Sequence, residues 1–127
     1  ISVKRGNRDS AKEAMSGCAD RLDRGCNVMI FPEGTRSKTG VMGEFKDGAF
    51  RLAIEKQVDI VPLAVVGTFD CLPPGGLKLS FAKGLYSVGK PISVKGKTLA
   101  DLESLKNEAR RRIQEMVDEM KPHSKLQ

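Results

Sequence analysis

The stretch VDIVPLAVVGT, residues 58–68, constrains the fold more than any other. It is β-branched and almost wholly apolar, as strands buried on both faces are, whereas a half-solvated strand alternates. Such a strand requires other elements to cover its faces. Pro62 lies inside it and has no N–H for a ladder, so an edge, a bulge or a strand end is expected there.

The rest of the chain supplies the cover. ISV (1–3) is a short β-type run, broken by GNRDS (6–10). Ser10 followed by Glu13 is a capping-box pattern. Ala11, Ala14, Met15, Cys18 and Leu22 then recur at helical spacing, which predicts a first helix over 11–24 with Gly25 just past its end. CNVMIF (26–31), bounded by Gly25 and Pro32, reads as a buried strand. FKDGAFRLAIEKQ (45–57) is helical again, with Phe45, Ala49, Phe50, Ala53 and Ile54 on one face. LPPGG (72–76) is a turn. LKLSFAKG (77–84) and LYSVGKPISV (85–94) read as two short strands. Leu99, Leu102, Leu105, Ala109, Ile113, Met116 and Met120 mark a final helix over 99–120, and KPHSKLQ is read as a frayed tail.

The order β-α-β-loop-α-β, then two strands and a helix, predicts an α/β fold: a mixed, partly parallel sheet with helices on its faces. A length of 127 residues without repeats fits one domain. The chain opens at Ile1 in mid-strand. The sheet is therefore expected to be incomplete at the N-terminus, and residues 1–127 to be the C-terminal part of a single domain.

A net charge of +6 favours anionic partners: phosphate esters, anionic headgroups or nucleic acid. Aromatic residues are only 5% of the chain and Trp is absent, which removes the stacking platforms a nucleic-acid binder uses, so no nucleic-acid partner is expected. Three cysteines without a CxxC pair, beside one histidine, make a poor zinc site; they are expected as thiols in a reducing compartment. No run reaches the ~18 apolar residues of a membrane span.

The chemistry gathers in FPEGTRSKTG, 31–40, at the carboxyl end of the predicted strand 26–31, where α/β sheets collect ligands. Arg36 offers a planar fork that suits phosphate oxygens. Glycines at 34, 40 and 43 let backbone N–H groups come close to an anion. Lys38 and Lys46 add charge. Glu33 either pairs with Arg36 and fixes its rotamer, or accepts hydrogen bonds from a hydroxyl or from backbone amides. The plainer alternative is a solvated loop with a surface ion pair, worth ~0–1 kcal/mol. Composition leaves both open.

FPEGTRS resembles the third conserved block of the glycerolipid acyltransferases, most closely the 1-acylglycerol-3-phosphate acyltransferases. VKRGNR (3–8) looks like the family's second block, FKDGAF (45–50) like the segment after the third, IVPLAVVGT (60–68) like the fourth, and GKPI (89–92) like a frequent ending before the last helix. The order and spacing agree over about 1–120. The resemblance implies transfer of a fatty acyl group from acyl-CoA or acyl carrier protein to a lysophospholipid at a membrane surface, on its cytoplasmic side. No metal or bound cofactor is implied. It assigns Arg5 and Arg36 to the glycerol phosphate, with Glu33, Gly34, Thr35 and Lys46 lining that site. Val61 and Pro62 would shape the floor or the acyl side.

One block of the family's pattern is missing. Its first block, His-x4-Asp, carries the general base and the residue that orients it. The single histidine here, His123, follows the other blocks, and an aspartate at that spacing would fall past Gln127. The base is therefore expected upstream, and no catalytic residue is assigned within this chain. A non-catalytic module for phosphate or anionic lipid is the competing reading. GLYSVGKP (84–91) mimics a nucleotide-binding P-loop, but Pro91 stands where Ser or Thr is needed, and β-like ISV follows instead of a helix. The final helix, with KNEARRRIQEMVDEMK, carries enough acids to favour packing on the sheet over lying on a membrane, although 109–112 could meet headgroups from an exposed edge.

Overall fold

The computed structural model describes residues 8–35, 37, 39–68 and 83–124. Among these described residues five elements follow in order: α1 (Arg8–Asp23), α2 (Gly48–Lys56), β1 (Leu63–Val66), β2 (Leu85–Val88) and, after a 3-10 turn at Leu99–Asp101, α3 (Leu102–Ser124). The expected run ISV and most of LKLSFAKG lie outside the described residues.

The core is where the helical faces predicted it. Phe45 and Phe50 stack with ring centroids 6.1 Å apart and planes 15° from parallel. They pack with Ile54 of α2, with Ile92 and Val94, and with Leu105 and Ala109 of α3. α3 lies across β1 and β2 and also touches α2, while α1 packs on α2. Packing on the sheet, the favoured reading of α3, is thus what the structure shows. The 3-10 turn that leads into α3 starts from a full capping box. Thr98 Oγ1 accepts from Ala100 N (3.3 Å), and Thr98 N donates to Asp101 Oδ2 (2.8 Å). The helix also runs on to Ser124, through part of the expected tail, with Pro122 in its last turn.

Three features of the sheet bear on the expected mixed, partly parallel arrangement, and the first, an antiparallel pair, fits a mixed sheet. β1 and β2 pair antiparallel, with Leu63 opposite Val88 and Val66 opposite Leu85, extended by an isolated antiparallel bridge between Ile60 and Ile92. Among the described residues no strands pair in parallel. Pro62 falls between that bridge and β1, the strand-end position open to a residue without N–H.

Secondly, 58–68 is buried on one face only. Ala64 and Val66 face α3 at 1% and 8% exposure, whereas Val61 and Val65 stand 53% and 43% exposed. Tyr86 and Val88, on the same side as Val65, are exposed too. One helix layer covers one face, and nothing among the described residues covers the other. Thirdly, 26–31 is not a buried strand. It joins no ladder among the described residues, and Met29 and Phe31 point outward at 70% and 72% exposure between half-buried Val28 and Ile30. Its apolar residues reflect a period-two alternation, not burial on both sides.

The turn between α2 and β1 is fixed by side chains. Gln57 ends α2 in the left-handed region (φ 52°). Its amide donates to Ile54 O and Lys97 O and accepts from Gly96 N, while Asp59 accepts from Val94 N. These bonds tie the segment before α3 to the end of α2. β2 runs through 85–88, so the P-loop mimic is a strand and has no phosphate-cradling geometry.

Candidate functional site

The loop that follows Phe31 begins with a tight turn. Pro32 takes the second position, where its fixed φ is pre-set, and Gly34 N closes the turn on Phe31 O at 3.0 Å. Gly34 has φ +71°, a conformation that favours glycine. The loop's far end returns to its start through two bonds. Gly43 N donates to Glu33 Oε2 (2.7 Å), and Lys46 N donates to Pro32 O (2.8 Å). Between them Ser37 Oγ donates to Val41 O at 2.7 Å, and Gly40 has φ +75°.

Glu33 therefore accepts from a backbone amide, one of the two roles left open for it. A Cβ at Gly43 would stand 3.0 Å from Glu33 Oε2, so any larger residue would push the carboxylate back by a few tenths of an ångström. The amides of Gly34 and Gly43 donate to Phe31 O and Glu33 and so close the loop. Lys46 is exposed, and its methylenes run beside Gly34; a Cβ on Gly34 would be 3.4 Å from Lys46 Cε.

Of the residues singled out from sequence, Glu33, Gly34 and Lys46 come together here, with Thr35 exposed next to them. Arg5, Arg36 and Lys38 lie outside the described residues. Val61 and Pro62 sit elsewhere, at the entry to β1. Val61 is exposed, and Pro62 is buried beside Gly89, whose N–H it accepts at 2.9 Å.

Sequence reading missed what α3 contributes. Lys106 Nζ donates to Asp47 Oδ1 (2.8 Å) and Glu103 Oε1 (2.6 Å). The hydrogen bond from Lys106 holds the Asp47 carboxyl below its ordinary range, and the bonds to Asp47 and then Glu103 raise Lys106. One turn further on, Arg110 Nε reaches Gly43 O (3.4 Å) and its Nη2 reaches Met42 O (3.3 Å). α3 thus grips both ends of 42–47, the segment joining the loop to α2. The available signal was that Lys106 and Arg110 follow the buried positions Leu105 and Ala109 by one residue each, at the rim of the packed face. A shallow groove between α1 and α2, lined among others by Met15 and Arg51, contains none of the expected clamp residues.

The sequence profile of the family described as Acyltransferase matches residues 1–66. The chain belongs to the acyltransferase family. It is similar to a chloroplastic 1-acyl-sn-glycerol-3-phosphate acyltransferase of Arabidopsis thaliana, 34% identical over 93% of this chain and 32% of that protein. It is also similar to the human 1-acyl-sn-glycerol-3-phosphate acyltransferase alpha, 32% identical over 87% of this chain and 39% of that protein. The crystal structure of the 1-acyl-sn-glycerophosphate (LPA) acyltransferase PlsC from Thermotoga maritima superposes with a TM-score of 0.77 at 27% identity, covering 85% of this chain and 44% of that one. The chain thus spans less than half the length of each of these relatives.

Proposed function

We propose that this chain is part of an acyltransferase that acylates 1-acylglycerol 3-phosphate to phosphatidate, a step of phospholipid biosynthesis. The acyl donor is the thioester of acyl-CoA or of acyl carrier protein. The observation that carries the reading is the glycine-shaped 32–43 loop, closed through Glu33, in a chain whose relatives are named for this acceptor. The loop holds the acceptor's phosphate through Arg36 and Lys46, with Arg5 from the N-terminal segment, while Glu33 and the turn at Gly34 keep the loop in shape. Thr35 borders the same site, and Val61 and Pro62 serve the floor or the acyl side.

In the reaction the acceptor's free hydroxyl attacks the thioester carbonyl. A C–O bond forms, the C–S bond breaks, and the donor leaves as its thiol after taking up a proton. The hydroxyl proton passes to a general base, the histidine of a His-x4-Asp pair outside this chain. Neither metal nor tightly bound cofactor takes part. The setting is a membrane surface on its cytoplasmic side. No helix of the described residues is long and apolar enough to cross a membrane.

The test uses the protein expressed from its native start codon, with lysophosphatidate and either donor. Phosphatidate should form with one donor or both. The 127-residue chain alone should give none above background, since loss of a general base costs ~10²–10⁴-fold. Liposome binding without acyl transfer by the longer protein would instead support the non-catalytic lipid-binding module. Turnover by the 127-residue chain alone would overturn the upstream base.

A further inference from the structure

We propose that Arg110 is a positioning residue for the 32–43 loop, acting on Glu33 through the single peptide unit between Met42 and Gly43. This rests on the reading of that loop as the acceptor-phosphate clamp.

The peptide's C=O, Met42 O, accepts from Arg110 Nη2 at 3.3 Å, and its N–H, on Gly43, donates to Glu33 Oε2 at 2.7 Å. A cation therefore sits at one end of the peptide dipole and a carboxylate at the other. Each bond polarises the amide in the sense that strengthens the other. Arg110 Nε takes the next carbonyl, Gly43 O, at 3.4 Å, so one guanidinium spans two successive carbonyls. Lysine, a point donor, cannot reproduce that fork. Gly43 lets the carboxylate approach, since a Cβ there would meet Glu33 Oε2 at 3.0 Å.

The neighbours of Arg110 are used otherwise. Arg111 pairs with Glu115 along the helix at 2.6 Å. Arg112 pairs with Glu108 at 2.6 Å and reaches Lys90 O. The basic run 110–112, first considered for lipid headgroups, divides by helical angle into three tasks, and Arg110 is the one directed at the loop. Lys106, one turn earlier, holds Asp47 and fixes the other end of the segment. Glu33 is thereby oriented from α3, 77 residues away in sequence.

The experiment compares Arg110→Ala, Arg110→Met and Arg110→Lys with Arg111→Ala in the protein expressed from its native start codon. Arg110→Met keeps the aliphatic stem and guards against loss of packing. Hydrogen exchange at Gly43 should quicken by about tenfold in Arg110→Ala and Arg110→Met, by less in Arg110→Lys, and not in Arg111→Ala. The KM for lysophosphatidate should rise about three- to tenfold in Arg110→Ala and Arg110→Met while the donor KM stays put. Unchanged Gly43 exchange in Arg110→Met would overturn the proposal. If Arg36→Ala raises acceptor KM and Arg110→Met does not, the positioning role alone is overturned. If Arg36→Ala leaves acceptor KM unmoved, the clamp reading falls and takes the functional part of the proposal with it.

Discussion

Gly67 and Gly96 both hold a left-handed backbone, at φ +85° and +76°, yet their surroundings differ. A Cβ at 67 would stand 2.0 Å from Lys83 O, a backbone atom that cannot step aside, while a Cβ at 96 would meet open space. Gly96→Ala should cost about 1–2 kcal/mol, the strain of the conformation alone. Gly67→Ala should cost about 3 kcal/mol or more, because the β1–β2 junction must also move. Urea midpoints of the two variants check this, and equal losses would contradict it. The sequence shows Gly67 only as the end of an apolar run, since the carbonyl that excludes a side chain comes from a residue far along the chain. Glu33 was legible to the same degree. Its two candidate roles could be named, but choosing the backbone amide of Gly43 required knowing that the loop folds back over ten residues. Arg110 was hidden in a run of like charges, where only helical angle separates one arginine from the next.

Helices were the most legible elements because their periodicity is local. The first was expected over 11–24 and is found at Arg8–Asp23; the last gained a 3-10 turn at its start and ran to Ser124. Strands were less legible because a strand is defined by its partner. The run 26–31 carries the composition of a buried strand, but among the described residues it has no ladder and shows alternate exposure. α3 also sets how the link between loop and α2 responds to pH. Asp47 is lowered by its bond to Lys106, so its contribution is complete above the ordinary aspartate value and is lost as pH falls through the lowered one. Lys106 is raised, chiefly by Asp47, so its contribution is complete below the ordinary lysine value and fails only as pH rises through the raised one. The stability gap between wild type and Asp47→Asn should therefore be constant from about pH 5 to 9 and narrow below about pH 4. Urea titrations at several pH values measure it. A gap that drifts between pH 5 and 9 would mean that another group governs this contact.

At the scale of the whole molecule, the α/β class and one apolar core were legible, and the symmetry of the cover was not. α3 shields one face of β1 and β2, leaving Val65, Tyr86 and Val88 exposed on the other. A sequence composed for burial on both sides cannot reveal which side a given segment of chain supplies. The loop is braced by α3 at Met42 and Gly43 and folded back on Glu33. On the proposed reading this loop grips the phosphate of the acyl acceptor. The most direct measurement is a pair of saturation curves, one per substrate, for wild type, Arg36→Lys and Arg36→Ala in the protein expressed from its native start codon. Arg36→Lys keeps the charge and loses the fork, so acceptor KM should rise. Arg36→Ala should lower kcat/KM for the acceptor by ten- to a hundredfold or more, the loss of ~1.5–3 kcal/mol from a charge-assisted hydrogen bond, while donor KM changes far less. Equal movement of both KM values would contradict the clamp; a fall in thermal stability with neither KM moved would show that Arg36 is only part of a surface ion pair.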